Sequence, residues 1–573
     1  MQADITIPYA IADYREMRER GFYYVDKTMY IPLLERYKAP VFLRPRRFGK
    51  SLLVSTLAHY YDLNETERFD MLFGGTHIGN HPTPERNKYM VMRFDFSKLV
   101  LSNNVEGLEK NFNNMLCPAI NMFVKGTARY PRFFEGFNFR SMNSAAEMLT
   151  DILDWAKGND LPKLYILIDE YDNFTNQLLT AYKDSLYEDI TTGESFLRTF
   201  FKVIKAGIGE GVIRSCFCTG VLPVTMDDLT SGYNIAEILT LDPEFTEMLG
   251  FNHDEAAEYL RYVIHKYGGN KGSFEELWHL ILNNYDGYRF LPNARPLFNS
   301  TILTYFFKKF ATSNGEIPDE MVDENLRTDI GWIRRLTITQ ENAKEMLDAL
   351  VIDDELIYSL PDLRSKFNKQ KFFEKQFYPI SLYYLGMTTL KNAFKMRLTN
   401  LTMRSVYMNY YNEMNLISDD ARRFVPAYER FMDDRIFAPL VENYFKEYLG
   451  QFPAQVFDKM NENFLRCSFY EVLTRYLSNS YTFAIEQNLH SGRADLVLTG
   501  IPGTTFYNDC RVVEFKYFKA KDANKIKALS APYPEDMEQV KAYAADINRQ
   551  YPDYEMKIYL VYIAAGKVCK IWS

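Results

Sequence analysis

The apolar residues of this chain fall into short unbroken runs separated by longer amphipathic stretches, the pattern of buried parallel strands joined by helices. The clearest run, Leu164-Tyr-Ile-Leu-Ile-Asp169-Glu170, ends in two acids. Pro40-Val-Phe-Leu-Arg44 predicts a second buried strand, followed by an apolar helix from Leu52 to Tyr61. Tyr89-Met-Val-Met-Arg-Phe-Asp95 and Arg214-Ser-Cys-Phe-Cys-Thr219-Gly220 supply two more, and their alternation with helical stretches predicts an α/β sheet. After the strand-like segment from Ala236 to Leu241, Gly250-Phe-Asn-His-Asp-Glu255 reads as a helix start, with Asn252 as N-cap and Glu255 at the capping-box position. From about 320 to 440 the pattern is helical, with one β excursion from Leu382 to Arg397 and then a helix from Leu401 to Tyr411. Two apolar strands return near the C-terminus, Gly492-Arg-Ala-Asp495-Leu-Val-Leu498 and Arg511-Val-Val-Glu-Phe-Lys516.

The first chemistry lies where the strand ending at Arg44 runs into Pro45-Arg-Arg-Phe-Gly-Lys50-Ser51. This segment resembles a Walker A loop, in which backbone N–H groups at a helix start cradle phosphates, a Lys reaches the β and γ oxygens, and a hydroxyl binds Mg²⁺. Gly49, Lys50 and Ser51 are in place, but Arg44 stands where the pattern has its first Gly. Asp169-Glu170 resembles Walker B, with Asp169 holding Mg²⁺ through water, Glu170 orienting the attacking water, and Thr219 in the place of a sensor residue.

The second chemistry is the acid-tipped strand pair near the C-terminus. Side chains repeat with period two along a strand, so Glu514 and Lys516 share a face, and Asp495 supplies a second carboxylate. The ordered set resembles the PD-(D/E)XK nuclease superfamily, in which the two acids hold a divalent metal and the Lys steadies developing negative charge. Upstream, Glu471 lies on a helical pattern with Phe469, Val472 and Leu473, where that resemblance implies an acid reaching the metal through water. Downstream, Gln539 and Tyr543 fall on one helix face at i and i+4, as in the RecB-like branch. The bland alternative is a strand-capping Asp495 and an exposed Glu514–Lys516 ion pair on an edge strand, which contributes little.

With these residues in hand, nearly the whole chain resembles a bacterial family of AAA-ATPase-like proteins carrying a C-terminal PD-(D/E)XK nuclease domain. Further landmarks are Ile7-Pro-Tyr-Ala-Ile-Ala-Asp13, Thr219-Gly-Val-Leu-Pro-Val-Thr225 and Tyr285-Asp-Gly-Tyr-Arg-Phe290. The resemblance implies an Arg in place of the first Walker Gly and puts the Tyr23-Tyr24-Val-Asp-Lys-Thr28 segment near the adenine. Tyr24, Arg47, Phe48 and Leu52 then join Gly49, Lys50, Ser51, Asp169 and Thr219 in holding ATP, with Ser51 and Asp169 on Mg²⁺. Glu471, Asp495 and Glu514 form the second metal set, for Mg²⁺ or Mn²⁺, with Glu170, Asp495, Glu514, Lys516 and Gln539 in catalytic roles. The expected architecture is α/β: an AAA-like P-loop core at 1–245, a helical lid at 246–320, a helical connector with winged-helix character at 321–440, and a nuclease-like domain at 441–573. Arg289 in the lid is a candidate phosphate sensor, and Arg198 and Arg214 are candidate arginine fingers.

Composition changes this picture little. A chain of 573 residues is too long for one core, and 47% hydrophobic with 25% charged residues describes an ordinary globular protein. The net charge of −8 excludes a uniformly basic coat, yet from Arg511 to Lys527 six basic residues outnumber two acids beside the strand pair, a surface suited to phosphates. Six scattered cysteines without a C-x-x-C pair imply free thiols and a reducing compartment, hence a cytoplasmic location, and no run approaches the length of a membrane span. Two functions compete. One is an ATP-regulated or ATP-driven nuclease acting on nucleic acid, with DNA favoured over RNA; the other is an ATP-dependent switch whose C-terminal domain only binds nucleic acid or a protein partner. A homo-oligomer is compatible with either.

Overall fold

The computed structural model describes residues 5–125, 130–229, 232–268, 273–318, 321, 330–338 and 343–573. Its N-terminal region is built on five strands: β1 (Pro40–Leu43), β2 (Met90–Asp95), β3 (Leu164–Asp169), β4 (Ile213–Gly220) and β5 (Glu237–Ile238). They pair in the order β2-β3-β4-β1-β5, all parallel. Every residue of β1 and β3 is buried, as unbroken apolar runs require when helices cover both faces of a sheet. Because the strands are parallel, the loop after β1 and the acids at the end of β3 emerge on the same edge, with β4 between them. The helix Lys50–Tyr61 follows β1 directly.

Beyond the sheet, the helix His253–Val263 begins with the expected capping box, Asn252 and Glu255 bonding each other's backbone. Helices Phe274–Tyr285 and Ser300–Thr312 complete this helical unit. Residue 320, where the lid is expected to end, lies outside the described residues. The middle region is mostly helical and carries a small antiparallel sheet of β6 (Leu356–Ile357), β7 (Thr388–Leu390) and β8 (Lys395–Leu398), in the order β6-β8-β7. The β excursion expected from Leu382 starts later than predicted. Tyr378–Tyr384 is helical, with Pro379 in its first turn where a fixed φ fits, and the turn into β7 passes through Gly386 at φ 78°. The helix Leu401–Met414 follows.

The C-terminal sheet consists of β9 (Tyr481–Leu489), β10 (Gly492–Gly500), β11 (Asp509–Phe518), β12 (Glu555–Ala564) and β13 (Val568–Trp572), in the order β13-β12-β11-β10-β9. Only β11 and β12 are parallel, and the helix Pro534–Gln550 lies between them in the chain. That helix packs through Val540, Tyr543 and Ile547 on one face of the sheet. The helix Glu462–Leu477 packs through Phe469 and Leu473 into the main core together with Leu496, Val513 and Phe515. One continuous core runs from β1 through the middle region to β11, so the units pack against each other. Among the described residues no helix is long and apolar enough to cross a membrane.

Candidate active sites

At the β1 edge the loop wraps around its own lysine. Lys50 Nζ donates to the carbonyls of Arg44 and Pro45, both at 2.9 Å, in the hollow that a P-loop offers to phosphates. Burial lowers the Lys50 pKa, against the opposing pull of Glu170, Asp172 and Asp169. Two residues of the loop take left-handed backbone: Arg47 at φ 71° and Gly49 at φ 87°. Arg44 does not, so the position that has Gly in the usual pattern makes no such demand here.

Arg44 has a different task. It is fully buried, donates to the carbonyls of Leu43, Thr240 and Thr246, and stacks on the rings of Phe42 and Phe290. A guanidinium can serve several carbonyls and two aromatic faces at once. The loop is thereby stapled to the strand edge and to the Tyr285–Phe290 motif. The start of the helix Ser300–Thr312 braces it from outside: Asn299 Nδ2 donates to the Arg46 carbonyl, and the Thr301 amide to that of Arg47.

Asp169 and Glu170 stand at the end of β3. Asp169 is buried, which raises its pKa while the Ser51 hydroxyl eases it, and its Oδ1 has no partner among the described residues. An orphaned carboxylate oxygen beside a Ser hydroxyl fits a Mg²⁺ held by Ser51 and Asp169. Glu170 adopts φ 49°, a strained turn that parts it from the strand direction. Thr219 is less free than a sensor residue should be, since its hydroxyl donates to the Phe42 carbonyl at 2.8 Å. Arg289 is not brought to the loop's phosphate hollow: its guanidinium reaches the Lys391 carbonyl beyond β7. Arg214 pairs with Glu85 and Arg198 with the Gly193 carbonyl, both within the chain.

An apolar cleft opens beside the loop, lined by Tyr24, Phe48, Gly49, Leu52, Phe251 and Tyr259 among others. Tyr24, Phe48, Gly49 and Leu52 thus share one concave wall, next to the hollow that holds the Lys50 ammonium.

The second centre arises where the C-terminal sheet opens. Pairing of β10 with β11 ends at Leu496 opposite Val513, and the next residues part. Two side chains close the gap. Asp495 Oδ2 accepts from the Phe515 amide at 2.8 Å, and the Asp495 amide donates to Glu514 Oε2 at 3.4 Å. The Glu514 pKa is pushed up to about 7 by burial and by the neighbouring Asp495 carboxylate. Lys516 Nζ donates to Glu514 Oε1 at 3.2 Å and to Gln539 Oε1 at 3.1 Å. Burial pulls that ammonium down, but Glu514 and Glu462 outweigh it and hold its pKa above the usual value. Gln539 Nε2 in turn donates to the Tyr543 hydroxyl, one helical turn on. Gly492, at φ 143°, lets this arrangement close, because a Cβ there would lie 2.9 Å from the Tyr543 hydroxyl.

The helix acid is not the expected one. Glu471 is buried on another part of the helix Glu462–Leu477, where Arg475 holds its Oε1 and its surroundings are Asn409, Asp419 and Tyr448. Arg466 is the residue of this helix that touches Asp495, and Glu471, five residues on, is turned about 140° around the helix from it. Glu462, in the first turn, lies at the centre instead, with its Oε1 accepting from the Tyr517 amide at 3.4 Å and its pKa raised by burial and by Asp495 against the pull of Lys516. Arg466, one turn further, donates to Asp495 Oδ1 at 2.9 Å and pairs with Glu486. Sequence reasoning missed both; an acid in the first turn after the Asn461 cap was the available signal for Glu462.

Among the described residues no group of three or more His, Cys, Asp or Glu converges as a ready metal cage. Asp495 and Glu514 are the two carboxylates here that could hold a divalent cation, alongside water and substrate oxygens.

Comparisons with known proteins follow the two centres. The family model described as a predicted AAA-ATPase matches residues 8–230, and that of the PD-(D/E)XK nuclease superfamily matches residues 460–573. Over 254 residues the chain is 28% identical to an uncharacterized protein in the vnfD 5′ region of Azotobacter chroococcum mcd 1. That stretch covers 44% of this chain and 43% of the relative, so the match spans less than half of either. The chain therefore joins an AAA-ATPase-like domain at residues 8–230 to a C-terminal PD-(D/E)XK nuclease-superfamily domain at residues 460–573.

Proposed function

We propose that this protein binds and hydrolyses ATP at the loop after β1 and cuts nucleic acid, DNA in the first instance, at Asp495, Glu514 and Lys516. The observation that carries the nuclease reading is the meeting of two buried carboxylates and an ammonium where the sheet opens. A divalent metal held by Asp495 and Glu514 supplies the polarisation of the phosphoryl oxygen and the acidified water that phosphodiester hydrolysis needs. Lys516, fixed between Glu514 and Gln539, offsets negative charge developing on the phosphate. Gln539, anchored by Tyr543, orients the ammonium and the substrate, and Glu462 adds a further acid beside Lys516.

At the other centre, Lys50 exchanges two loop carbonyls for phosphate oxygens, so nucleotide binding rebuilds the loop's hydrogen bonds rather than adding to them. Ser51 and Asp169 hold Mg²⁺, Glu170 orients water, and the apolar cleft at Tyr24, Phe48 and Leu52 takes the base. The test is to incubate the full chain with plasmid, linear duplex, single-stranded DNA and RNA, in Mg²⁺ or Mn²⁺, with ATP, ADP or no nucleotide. Cleavage of DNA that requires metal and differs with nucleotide supports the reading. Failure to cut any substrate in any nucleotide state leaves the switch that only binds.

A further inference from the structure

The polar contacts around Asp495 continue into the middle region. Arg466 is shared by three acceptors: Asp495 Oδ1 at 2.9 Å, Asn463 Oδ1 at 2.9 Å, and the Glu486 carboxylate. Asn463 Oδ1 also accepts from Arg404 Nη1 at 3.4 Å, so two guanidiniums converge on one amide oxygen. Arg404 belongs to the helix Leu401–Met414, outside the nuclease-superfamily match, and its side chain is only 12% exposed. It pairs with Asp354 and lies 3.3 Å from Cys467 Sγ. Charges thus alternate through the interior, from Asp354 to Arg404, Glu486, Arg466 and Asp495.

Glu486 adds an independent sign. It sits in β9 with left-handed backbone at φ 53°, at the level of Asp495, and the residues on either side of it pair in register with β10. A non-glycine residue keeps such a conformation only where its surroundings over-determine it. Arg466 and Arg493 pair with this carboxylate, and the charges of Arg404 and Arg397 act on it as well.

We propose that Arg404 is a positioning residue for the nuclease centre: it holds Asn463 and counters Glu486, so that Arg466 stays on Asp495 and keeps that carboxylate turned toward Glu514. The inference rests on the nuclease reading of Asp495 and Glu514. Without Arg404, Glu486 loses a countering cation and draws Arg466 away from Asp495, while Asn463 is left with its bonds to Arg466 and the Ile352 carbonyl. The middle region thereby takes part in building a site whose metal-binding residues lie in another domain. The same helix starts against the segment Asn284–Asp286, since Asn400 Nδ2 donates to the Asp286 carbonyl and Thr402 Oγ1 to that of Asn284.

The test compares wild type, Arg404→Gln, Arg404→Lys and Asn463→Ala, which deletes the shared acceptor together with the Nδ2 donor to the Ile352 carbonyl. Mn²⁺ binding is titrated without nucleotide or nucleic acid, with Asp495→Asn marking the nuclease-centre component, alongside ATP turnover and thermal melting. Outer groups that orient metal ligands are worth about 10- to 100-fold in metal affinity. Arg404→Gln and Asn463→Ala should weaken Mn²⁺ at this centre by about that factor, with ATP turnover unchanged, and Arg404→Lys should recover only part. If Arg404→Gln does not fold, Asn463→Ala decides. Wild-type Mn²⁺ affinity in a folded variant overturns the role of Arg404 while leaving the nuclease reading intact. A wild type with no Asp495-dependent Mn²⁺ binding overturns both.

Discussion

Arg44 lies with its guanidinium 3.7 Å from the centre of the Phe290 ring, joining the strand that enters the loop before Lys50 to the Tyr285–Phe290 motif more than 240 residues away. Arg44→Met would keep the stack's bulk but strip donors from the carbonyls of Leu43, Thr240 and Thr246. Buried acceptors left without donors should cost about 2–4 kcal/mol in total, read as a lower midpoint in denaturant, together with weaker ATP binding by calorimetry. A variant as stable as wild type would mean that Phe290 and Phe42 hold the loop unaided.

Lys50→Ala should abolish nucleotide binding or turnover, because it removes the ammonium that the Arg44 and Pro45 carbonyls hold in the loop's hollow. Glu170→Gln should still bind ATP and hydrolyse it slowly, since the amide keeps the side chain's shape but cannot accept a proton from water. Equilibrium binding of a fluorescent ATP analogue, set against phosphate release, separates the two. Equal turnover in Lys50→Ala and wild type would remove this loop from the chemistry.

At the second centre, Asp495→Ala and Glu514→Ala should lose both metal binding and cleavage. Lys516→Ala should keep metal binding, because an ammonium is not a ligand, yet cut about 100- to 1000-fold more slowly for want of charge stabilisation. Gln539→Ala should be milder, since Lys516 still has Glu514. Mn²⁺ titration beside a plasmid-nicking assay distinguishes these classes, and a Lys516→Ala enzyme that cuts at the wild-type rate would reassign the lysine to structure.

His253 Nε2 lies 2.9 Å from Asp286 Oδ2, and this hydrogen bond raises the His253 pKa above its usual value near 6.5, with Asp254 adding to the rise and burial and Arg295 opposing it. A histidine whose pKa is raised on folding stabilises the fold fully below its unfolded pKa, and that contribution is lost as pH rises through the folded one. Wild type should therefore lose more stability than His253→Asn between about pH 6 and 8. Denaturant midpoints measured across that range check it, and parallel profiles would show the pair to be without effect.

Much of this molecule was legible in local sequence, and some of it was not. The runs Pro40–Leu43 and Leu164–Asp169 became buried parallel strands, because an unbroken apolar segment of that length has few other ways to be satisfied. Asn252 and Glu255 formed their capping box, since its two bonds join residues three apart. The loop from Arg44 to Ser51 and the Glu514–Lys516 spacing were likewise readable, because the groups that work together there are neighbours in the chain. Spacing pointed to Glu471, whereas the turn of the same helix that meets β11 carries Glu462. It did not show that Arg44 serves carbonyls near Thr240, or that Arg404 and Arg466 meet at Asn463. Those relationships join residues far apart in the chain, and they follow from how helices are set against sheets; local periodicity carries the face a residue occupies, and only packing decides what that face meets.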